Sequence, residues 1–450
     1  MKEKRKVIVI IILSLIAFVL FKVDQKLNRK EKGYKVNAET DEDVHVDTLE
    51  VHKEVGLYTI EDPEYWIERI VQSDLLPMNS SEIKDYNKDN FHQLDYLVDI
   101  ENHKDTIEKT QLEEIIKTVS KKPAELRFDS QGNVMDEGYF NELMKNLNLE
   151  SIPHKVSMKY GVTVNRTVLR TFPTYEPSYK KEGNIEFDRF METAIYPWEP
   201  LAIYIESADG EWYFGRIYNY LGWIPKKDVA IGDKENIFYY INWEPFLVVI
   251  DRQVNLDGVI LDMGVRIPLI GEDEEGYKVL MPTRSEEGKF EVLEKKLPTS
   301  KSFYKGYLPY TKANIIKQGF KFLGEEYGWG GMNNTRDCSA LIMDIHRTFG
   351  IKLPRNSIEQ GMDSLGKVYD KGNFPPASVL YMPGHIMLYL GEDEGIGYIL
   401  HQVAGYYEES GEGLKYVEAM KTIVTPITIK TSTGKTYLEN IVICKEFVKK

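Results

Sequence analysis

The sequence predicts a multidomain α+β protein, in which a helical segment and two small β-barrels precede a mixed α+β domain. Its 450 residues are too many for a single hydrophobic core. The apolar residues first recur at helical spacing, then alternate in short runs between turn residues, and finally show both patterns. Hydrophobic residues make up 42% of the chain, which is typical of a folded rather than a disordered protein.

Charge and cysteine content exclude several classes of function. The net charge of −14 argues against binding a phosphate backbone, so no nucleic-acid partner is expected. The two cysteines, Cys338 and Cys444, cannot form a disulfide framework. The sequence contains neither C-x-x-C nor H-E-x-x-H, so it predicts no metal site, and no cofactor is expected.

The N-terminus predicts export. A basic start, "MKEKRK", precedes an apolar run over residues 7–21, which is short for a membrane span and long enough for a signal-peptide core. No small-residue cleavage site follows directly, so we favour an uncleaved signal anchor in residues 1–32, with a cleaved signal peptide as the alternative. Either places the chain on the outer face of the membrane or in the cell wall, and the sparing use of cysteine favours a Gram-positive bacterium. The acidic residues 33–55 predict a stalk.

Changes of pattern divide the remaining chain into four parts. Residues 56–152 predict a helical segment, which starts at an Asp-Pro pair. Residues 153–232 contain short strands separated by turn signals such as "ADGE", which predicts a small β-barrel, and a looser series over 233–302 predicts a second one. Residues 303–450 predict the α+β domain.

Two helices and a hairpin define this last domain. Thr311 caps the first helix, and the second opens at Cys338 and stops at Gly350. The strands "HIMLYLG" and "YILHQVAGY" follow, joined by "GEDEG". If that joint is a five-residue loop, His385 lies directly opposite His401, with Cβ atoms about 5 Å apart on one face.

Cys338 is the candidate nucleophile. The unsatisfied N–H groups and the dipole of a helix N-terminus stabilise a thiolate there, which predicts a reactive thiol near neutral pH. The alternative is a small buried hydrophobic residue, which cysteine often is.

Three histidines follow Cys338, and two of them suit it as partners. His346 lies about 12 Å along the same helix and is predicted on the helix surface. His385 and His401 have the geometry of a base and the group that orients it, the alternative being two unrelated polar strand residues.

The stretches "RDCSALIMDIHRTFGIKLPRNS", "PGHIMLYLG" and "YILHQVAGY" together resemble the NlpC-type, papain-like cysteine peptidases of bacterial cell-wall turnover. Upstream, "YGVTVNRTVLRTFPT" and "ADGEWYFGRIYNYLGWIP" resemble the bacterial SH3-like domain that precedes such catalytic domains. The resemblance therefore implies a papain-like domain over 303–450, behind SH3-like domains over 153–232 and 233–302.

The resemblance also implies roles for individual residues. Cys338 matches the nucleophile, His385 the base and His401 the orienting residue. Asp337, Ser339 and Tyr327 match residues that hold the free amino group of a peptide stem. A tyrosine of the SH3-like domain sometimes joins the substrate pocket, and the motifs do not say which residue that is here.

The implied activity is an exported endopeptidase that hydrolyses the γ-D-glutamyl–diamino-acid bond of peptidoglycan stem peptides and prefers a free N-terminal L-alanine. Two alternatives remain at this point: an N-acetylmuramoyl-L-alanine amidase, and a non-catalytic protein that binds the cell wall through its SH3-like domains.

Overall fold

Three antiparallel sheets of seven, five and six strands organise the part of the chain that the computed structural model describes, residues 58–411 and 413–449. The predicted signal anchor and acidic stalk lie outside the described residues. Within the described part, no helix is both long enough and apolar enough to cross a membrane.

The first part of the described chain is mainly helical, as its pattern predicts. Its helices are α1 (Pro63–Ile67), α2 (Ser80–Gln93), α3 (Lys109–Val119) and α4 (Glu137–Asn146). Asn79 caps α2 by accepting from the backbone N–H of Glu82, whose own side chain returns to Asn79. A short strand, β1 (Thr106–Glu108), pairs with β2 (Lys155–Ser157). Helix α1 packs on the last domain, where the Tyr65 hydroxyl donates to Asp393 Oδ1 at 2.6 Å.

The seven-stranded sheet forms the first barrel, in the order β5-β4-β8-β7-β6-β3-β9. Its strands are β3 (Lys159–Thr163), β4 (Thr167–Arg170), β5 (Met191–Ile195), β6 (Pro200–Glu206), β7 (Trp212–Ile217), β8 (Tyr220–Pro225) and β9 (Val229–Gly232). One face of the barrel buries Trp212 and Trp223 against apolar residues of α3 and α4. The helical segment and the barrel therefore share a core.

Helix α5 (Lys234–Ile241) leads from the first barrel into the second β unit. This unit has a five-stranded sheet, in the order β15-β14-β13-β10-β16, and a separate hairpin of β11 and β12. The strands are β10 (Phe246–Val249), β11 (Gln253–Leu256), β12 (Val259–Asp262), β13 (Arg266–Asp273), β14 (Gly276–Arg284), β15 (Phe290–Leu297) and β16 (Phe303–Lys305).

The last domain packs helices against a six-stranded sheet, in the order β17-β22-β18-β19-β20-β21. The helices are α6 (Lys312–Phe320), α7 (Cys338–Arg347), α8 (Ser357–Gln360) and α9 (Tyr437–Asn440). The strands are β17 (Lys367–Tyr369), β18 (Val379–Met382), β19 (His385–Asp393), β20 (Ile396–Ser410), β21 (Gly413–Pro426) and β22 (Ile443–Glu446). Helix α7 lies against β19 and β20, so its first residue comes close to both strands that carry the candidate histidines.

The predicted register of the β19–β20 hairpin is wrong. The turn consists of Glu394 and Gly395 alone, with φ of 50° and 77°, and is not a five-residue loop. Positive φ at both central residues is typical of a type I′ turn, the common two-residue hairpin connection. A bulge beside Tyr389 also adds one residue to β19.

The two histidines nevertheless share a face of the sheet. Leu388 pairs with Leu400, so residue 387, and not His385, lies opposite His401. His385 therefore lies two residues away from the position opposite His401. Side chains two residues apart on a strand point to the same face of the sheet. The imidazoles consequently meet diagonally across the ladder.

The prediction that His346 lies on the helix surface is also wrong. His346 is 1% exposed, and its Nδ1 lies 2.8 Å from the backbone oxygen of Ile342. The sheet covers one side of α7, and Tyr310 and Phe447 pack against the imidazole on another. Neighbouring chain segments therefore bury α7 where its own pattern predicts a solvent face.

Candidate active site

Cys338 is the first residue of α7, and a loop that contains two glycines precedes it. The loop Trp329–Asn334 turns sharply through Gly330 and Gly331, whose φ values are 61° and 92°. A Cβ on Gly331 would lie 2.6 Å from the Cβ of Ala194 in β5. Only glycine allows this close approach, so the loop before Cys338 rests directly on the first barrel.

The thiol of Cys338 is half-buried and protonated in the free protein. Burial raises its pKa to about 12, and the negative charge of Asp337 acts in the same direction. The backbone N–H groups of Ile386 and Ser339 oppose this shift without cancelling it. Desolvation and a neighbouring carboxylate therefore oppose the effect of the helix terminus, and a thiol that is reactive near neutral pH stays a prediction.

His385 and His401 form a hydrogen-bonded pair beside α7. His385 Nε2 and His401 Nδ1 are 2.9 Å apart, and His401 Nε2 lies 3.0 Å from the Thr425 hydroxyl oxygen. Two assignments of protons satisfy these hydrogen bonds. In the first, Thr425 donates to His401 Nε2, and His401 Nδ1–H donates to His385. In the second assignment, His385 Nε2–H donates to His401, and His401 Nε2–H donates to Thr425. This assignment leaves Nδ1 of His385 as an acceptor, which is the form that a general base requires.

Both imidazoles are neutral near neutral pH. Burial lowers the pKa of His385 to about 4. Burial also lowers the pKa of His401, and the neighbouring His385 lowers it further. Burial thus disfavours the charged form of the thiol and of both imidazoles at the candidate site.

Asp337 caps the N-terminus of α7 and also binds Arg355. Its Oδ1 accepts from the Ala340 N–H at 2.9 Å, which caps α7. Its Oδ2 accepts from the Gly330 N–H at 3.1 Å and from Arg355 at 2.7 Å. Burial would raise the pKa of this carboxyl, but Arg355 and the hydrogen bonds keep it below its usual value. Both carboxylate oxygens are thus occupied, and a role in holding a substrate ammonium stays a prediction.

Ser339 and Tyr327 lie in the same cluster. The Ser339 hydroxyl donates to Asp337 Oδ1 at 3.2 Å and accepts from Arg355 at 2.8 Å. Tyr327 is close enough for Asp337 and Cys338 to raise its pKa, although burial is the larger cause. The structure therefore brings together all six residues predicted for the site.

The first barrel contributes three residues that the sequence does not identify. The Tyr220 hydroxyl donates to the Glu192 carboxylate, and Thr193 beside it accepts from Arg355 Nε at 2.6 Å. Glu192 is half-buried, and burial raises its pKa. Tyr220 also lies near Arg355 and Asn356, both of which act on its pKa. Tyr220 is thus a barrel tyrosine at the edge of the candidate site.

These additional residues differ in how far the sequence could have indicated them. Arg355 belongs to the Leu-Pro-Arg stretch that helped to establish the family resemblance, which is a usable signal. Glu192 and Tyr220 carry no motif, since their place depends on how the barrel packs against the last domain. Among the residues that the structure describes, no group of His, Cys, Asp and Glu side chains has the arrangement of a metal site.

Comparisons with known proteins agree with this geometry. Residues 324–413 match the sequence profile of the NlpC/P60 family, and residues 173–225 match that of the SH3 domain of the SH3b1 type. No curated protein sequence matches the chain significantly.

Solved structures extend the similarity to most of the chain. An NlpC/P60 endopeptidase from Photobacterium damselae subsp. piscicida aligns with 82% of this chain and 90% of its own, at 21% identity and a TM-score of 0.64. An NlpC/P60 family protein from Bacillus cereus ATCC 10987 aligns with 58% of this chain and 83% of its own, at 21% identity and a TM-score of 0.40. The peptidoglycan hydrolase RipB from Mycobacterium tuberculosis aligns with 31% and 65%, at 20% identity and a TM-score of 0.22. The predicted multidomain α+β fold class is confirmed.

Proposed function

We propose that this chain, whose residues 324–413 form an NlpC/P60 domain behind an SH3 domain of the SH3b1 type, is a cysteine endopeptidase of peptidoglycan stem peptides. The observation that carries the proposal is the position of Cys338 at the start of α7, which packs on β19 and β20, the strands that carry the hydrogen-bonded pair of His385 and His401. A thiol, a base and an orienting group are the parts that nucleophilic acyl transfer needs.

The reaction begins with proton transfer from Cys338 to Nδ1 of His385 as the sulfur attacks the γ-carbonyl of D-glutamate. Backbone N–H groups in the first turn of α7, which have no partner inside the helix, stabilise the oxyanion. The C–N bond breaks as His385 returns the proton to the leaving amine. Water then attacks the thioester, His385 accepts its proton, and the thiol and the free carboxylate form.

The proposed substrate carries a free L-alanine amine, and the barrel offers a better partner for it than Asp337 alone. Glu192 makes no ion pair within residues 58–411 and 413–449, and its contact is the neutral hydroxyl of Tyr220. Asp337, in contrast, is already paired with Arg355. A half-buried carboxylate that makes no ion pair with a described residue suits an ammonium group, so we assign amine recognition to Glu192 together with Asp337.

The test uses defined stem peptides and identifies the products by mass. The tripeptide L-Ala-γ-D-Glu-diamino acid should yield L-Ala-D-Glu and the free diamino acid. The same peptide acetylated at its amine should react at least about tenfold more slowly, since the charge-assisted contact is lost. Glu192→Gln keeps the shape of the side chain and should reduce this preference. Equal kcat/KM on both peptides in the wild-type protein would contradict the assignment.

A matched pair of cysteine variants separates the proposal from a non-catalytic role. Cys338→Ala should abolish hydrolysis, whereas Cys444→Ala should retain it, because Cys444 is buried in β22 and contacts Ser378 at 3.3 Å. The amidase alternative predicts cleavage between muramic acid and L-alanine instead. Release of that product, with no cleavage of the free tripeptide, would favour the amidase.

We also propose that residues 1–32 hold the protein at the outer face of the cell membrane. The support is the basic start and the apolar run of the sequence alone. Protease added to intact cells should digest the enzyme, and membrane fractions should retain it. Full-length protein found in the cytosol would contradict the proposed location.

A further inference from the structure

The hydrogen bonds around His385 and His401 join uncharged groups. Within residues 58–411 and 413–449, neither imidazole hydrogen-bonds to a carboxylate, and the series ends at the Thr425 hydroxyl. Hydrogen bonds between neutral groups are roughly half as strong as those that involve a charged group. The two imidazole planes meet at 63°, and the last torsion of a histidine side chain has broad energy wells. These bonds therefore fix the distance between the nitrogens more closely than they fix either ring plane.

The ring of Tyr437 contacts both imidazoles. Its centroid lies 5.9 Å from that of His385 and 5.9 Å from that of His401, with interplanar angles of 74° and 85°. Edge-to-face contacts at such distances are an arrangement that aromatic rings prefer. A phenol ring at nearly a right angle to two imidazoles opposes the rotation of both.

Tyr437 is itself firmly held. It is the first residue of α9, and Thr436 caps this helix by accepting from the Glu439 N–H at 3.2 Å. The Tyr437 N–H donates to the backbone oxygen of Ile429 at 2.9 Å. The side chain is 4% exposed and packs with apolar residues of the sheet, among them Met387. Because closely packed side chains stay in one rotamer, the ring presents a fixed surface to the two histidines.

Tyr437 also lies near the candidate nucleophile. Burial raises the pKa of its hydroxyl to about 12, and Cys338 acts in the same direction. The same side chain is therefore close to the thiol and to both histidines. Tyr437 lies beyond residues 324–413, the part of the chain that matches the NlpC/P60 profile, so the family resemblance does not identify it.

We propose that Tyr437 is a positioning residue of the active site, whose ring holds the imidazoles of His385 and His401 in the orientation that proton transfer from Cys338 requires. This inference rests on the proposed function, which assigns His385 as the base. The ring carries the role, because the ring and not the hydroxyl makes the two contacts. An imidazole that turns away from the thiol cannot accept its proton, and a misplacement of about 1 Å can cost about 100-fold in rate.

The test measures the reactivity of the Cys338 thiol directly and needs no peptide substrate. The sulfur displaces iodide from iodoacetamide while His385 accepts the thiol proton, and a Cys444→Ala background removes the second cysteine. Tyr437→Phe keeps the ring and should react within about twofold of the parent, whereas Tyr437→Leu should react about tenfold more slowly. His385→Ala gives the rate without the base and sets the lower limit.

Tyr310→Leu is the matched control. Tyr310 is 2% exposed, and its ring centroid lies 6.0 Å from that of His346, a histidine outside the pair. Both leucine variants leave a cavity and should lower the melting temperature. Tyr310→Leu should nevertheless be alkylated within about twofold of the parent rate, since its ring does not contact the base. If Tyr437→Leu does not fold, Tyr437→Met, which has a longer side chain without a ring, takes its place.

Hydrolysis of stem peptides gives a second measurement. Tyr437→Leu should lower kcat about tenfold and leave KM unchanged, because the ring acts on the base and not on the substrate. Tyr437→Phe should retain the kcat of the parent. If the wild-type protein cleaves no stem peptide, the proposed function fails, and the alkylation rates still decide the role of Tyr437.

Three results would overturn the proposal. Equal slowing in Tyr437→Phe and Tyr437→Leu would assign the role to the hydroxyl. Alkylation of Tyr437→Leu at the parent rate would show that the hydrogen bonds alone orient the histidines. Equal slowing in Tyr437→Leu and Tyr310→Leu would show that the loss of any buried ring loosens the domain.

Discussion

At the scale of single residues, the proton positions around His385 decide what the site can do. Nε2 of His385 is engaged with His401, and Thr425 in turn engages His401. Thr425 is 5% exposed and contacts neither the thiol nor His385 in any described hydrogen bond. We therefore regard it as a positioning residue that orients the imidazole of His401 and, through it, that of His385.

The first prediction is that the loss of activity decreases along the hydrogen-bonded series His385, His401 and Thr425. His385→Ala should reduce kcat at least about 1000-fold, and His401→Ala about 10- to 100-fold. Thr425→Val keeps the shape and should cost a few fold while changing the pH profile of kcat/KM, which a purely structural role would not change. His346→Leu serves as the control and should retain activity.

The same measurement tests the neutral resting state. Because the pKa of His385 is lowered to about 4, its basic form exists at all pH values above that. The fall of kcat/KM on the acid side of its pH profile should therefore occur well below pH 6.5, which is the ordinary pKa of histidine. An acid limb at or above pH 6.5 would contradict the neutral pair.

At the scale of elements, α7 makes the protein sensitive to acid. Burial lowers the pKa of His346 to about 4, against about 6.5 in the unfolded chain. As the pH falls from 6.5 to 4, His346 binds a proton in the unfolded chain but not in the folded chain. The free energy of unfolding should therefore fall by about 3 kcal/mol because of this residue.

His346→Leu is the second prediction. Leucine fills the same space without a titrating group, so the variant should lose less free energy of unfolding than wild type between pH 7 and pH 4.5. Denaturant titrations at both pH values measure the difference. An identical loss in both proteins would show that His346 titrates normally.

The loop before Cys338 gives the third prediction. Gly331→Ala adds a Cβ 2.6 Å from that of Ala194 and strains a residue with φ of 92°. We expect a loss of about 2–4 kcal/mol in stability and a reduced kcat, because the loop moves away from β5. Gly306→Ala is the matched control, since Gly306 also has positive φ but has open space around its Cβ position. It should cost only about 1 kcal/mol and leave kcat intact.

For the last domain, the sequence predicted the helices and strands better than the strand register and the packing between them. Hydrophobic period and caps were sufficient to place the helices that begin near Thr311 and Cys338. The pairing of His385 with His401 was found despite a wrong register, because an even displacement conserves the face. The bulge beside Tyr389 has no local signal, and the burial of His346 depends on segments far away in sequence.

At the scale of the whole molecule, Arg336 joins distant parts of the chain. It is fully buried and lies 2.8 Å from Asp262 of the second β unit, 2.8 Å from Glu325 and 2.5 Å from Asp344 of α7. Asp344 also accepts from Tyr196 of the first barrel at 2.8 Å. Contacts of this kind cannot be read from a sequence, because the partners come from three different parts of the chain.

Arg336→Met is the fourth prediction. Removing the arginine leaves three buried carboxylates without their shared cation, so we expect a loss of about 3–5 kcal/mol. Calorimetry should also show the barrels and the catalytic domain melting separately, where wild type melts in one transition. Lys145→Met breaks an exposed pair with Glu142 and should change stability by less than about 1 kcal/mol. A similar loss in both variants would contradict a joining role for Arg336.

The contact of Gly330 and Gly331 with β5 has a consequence for how such proteins diversify. Gene fusion usually exchanges domains at flexible joints, where each part keeps its own surface. Here the loop that presents Cys338 lies so close to the side chains of Met191 and Ala194 that a Cβ on either glycine would force a neighbouring atom to move. A foreign SH3-type domain spliced in front of this catalytic domain would therefore have to reproduce that strand. We infer that the two domains are inherited as a pair, and that new specificities arise by substitutions along their shared border more readily than by exchange of whole modules.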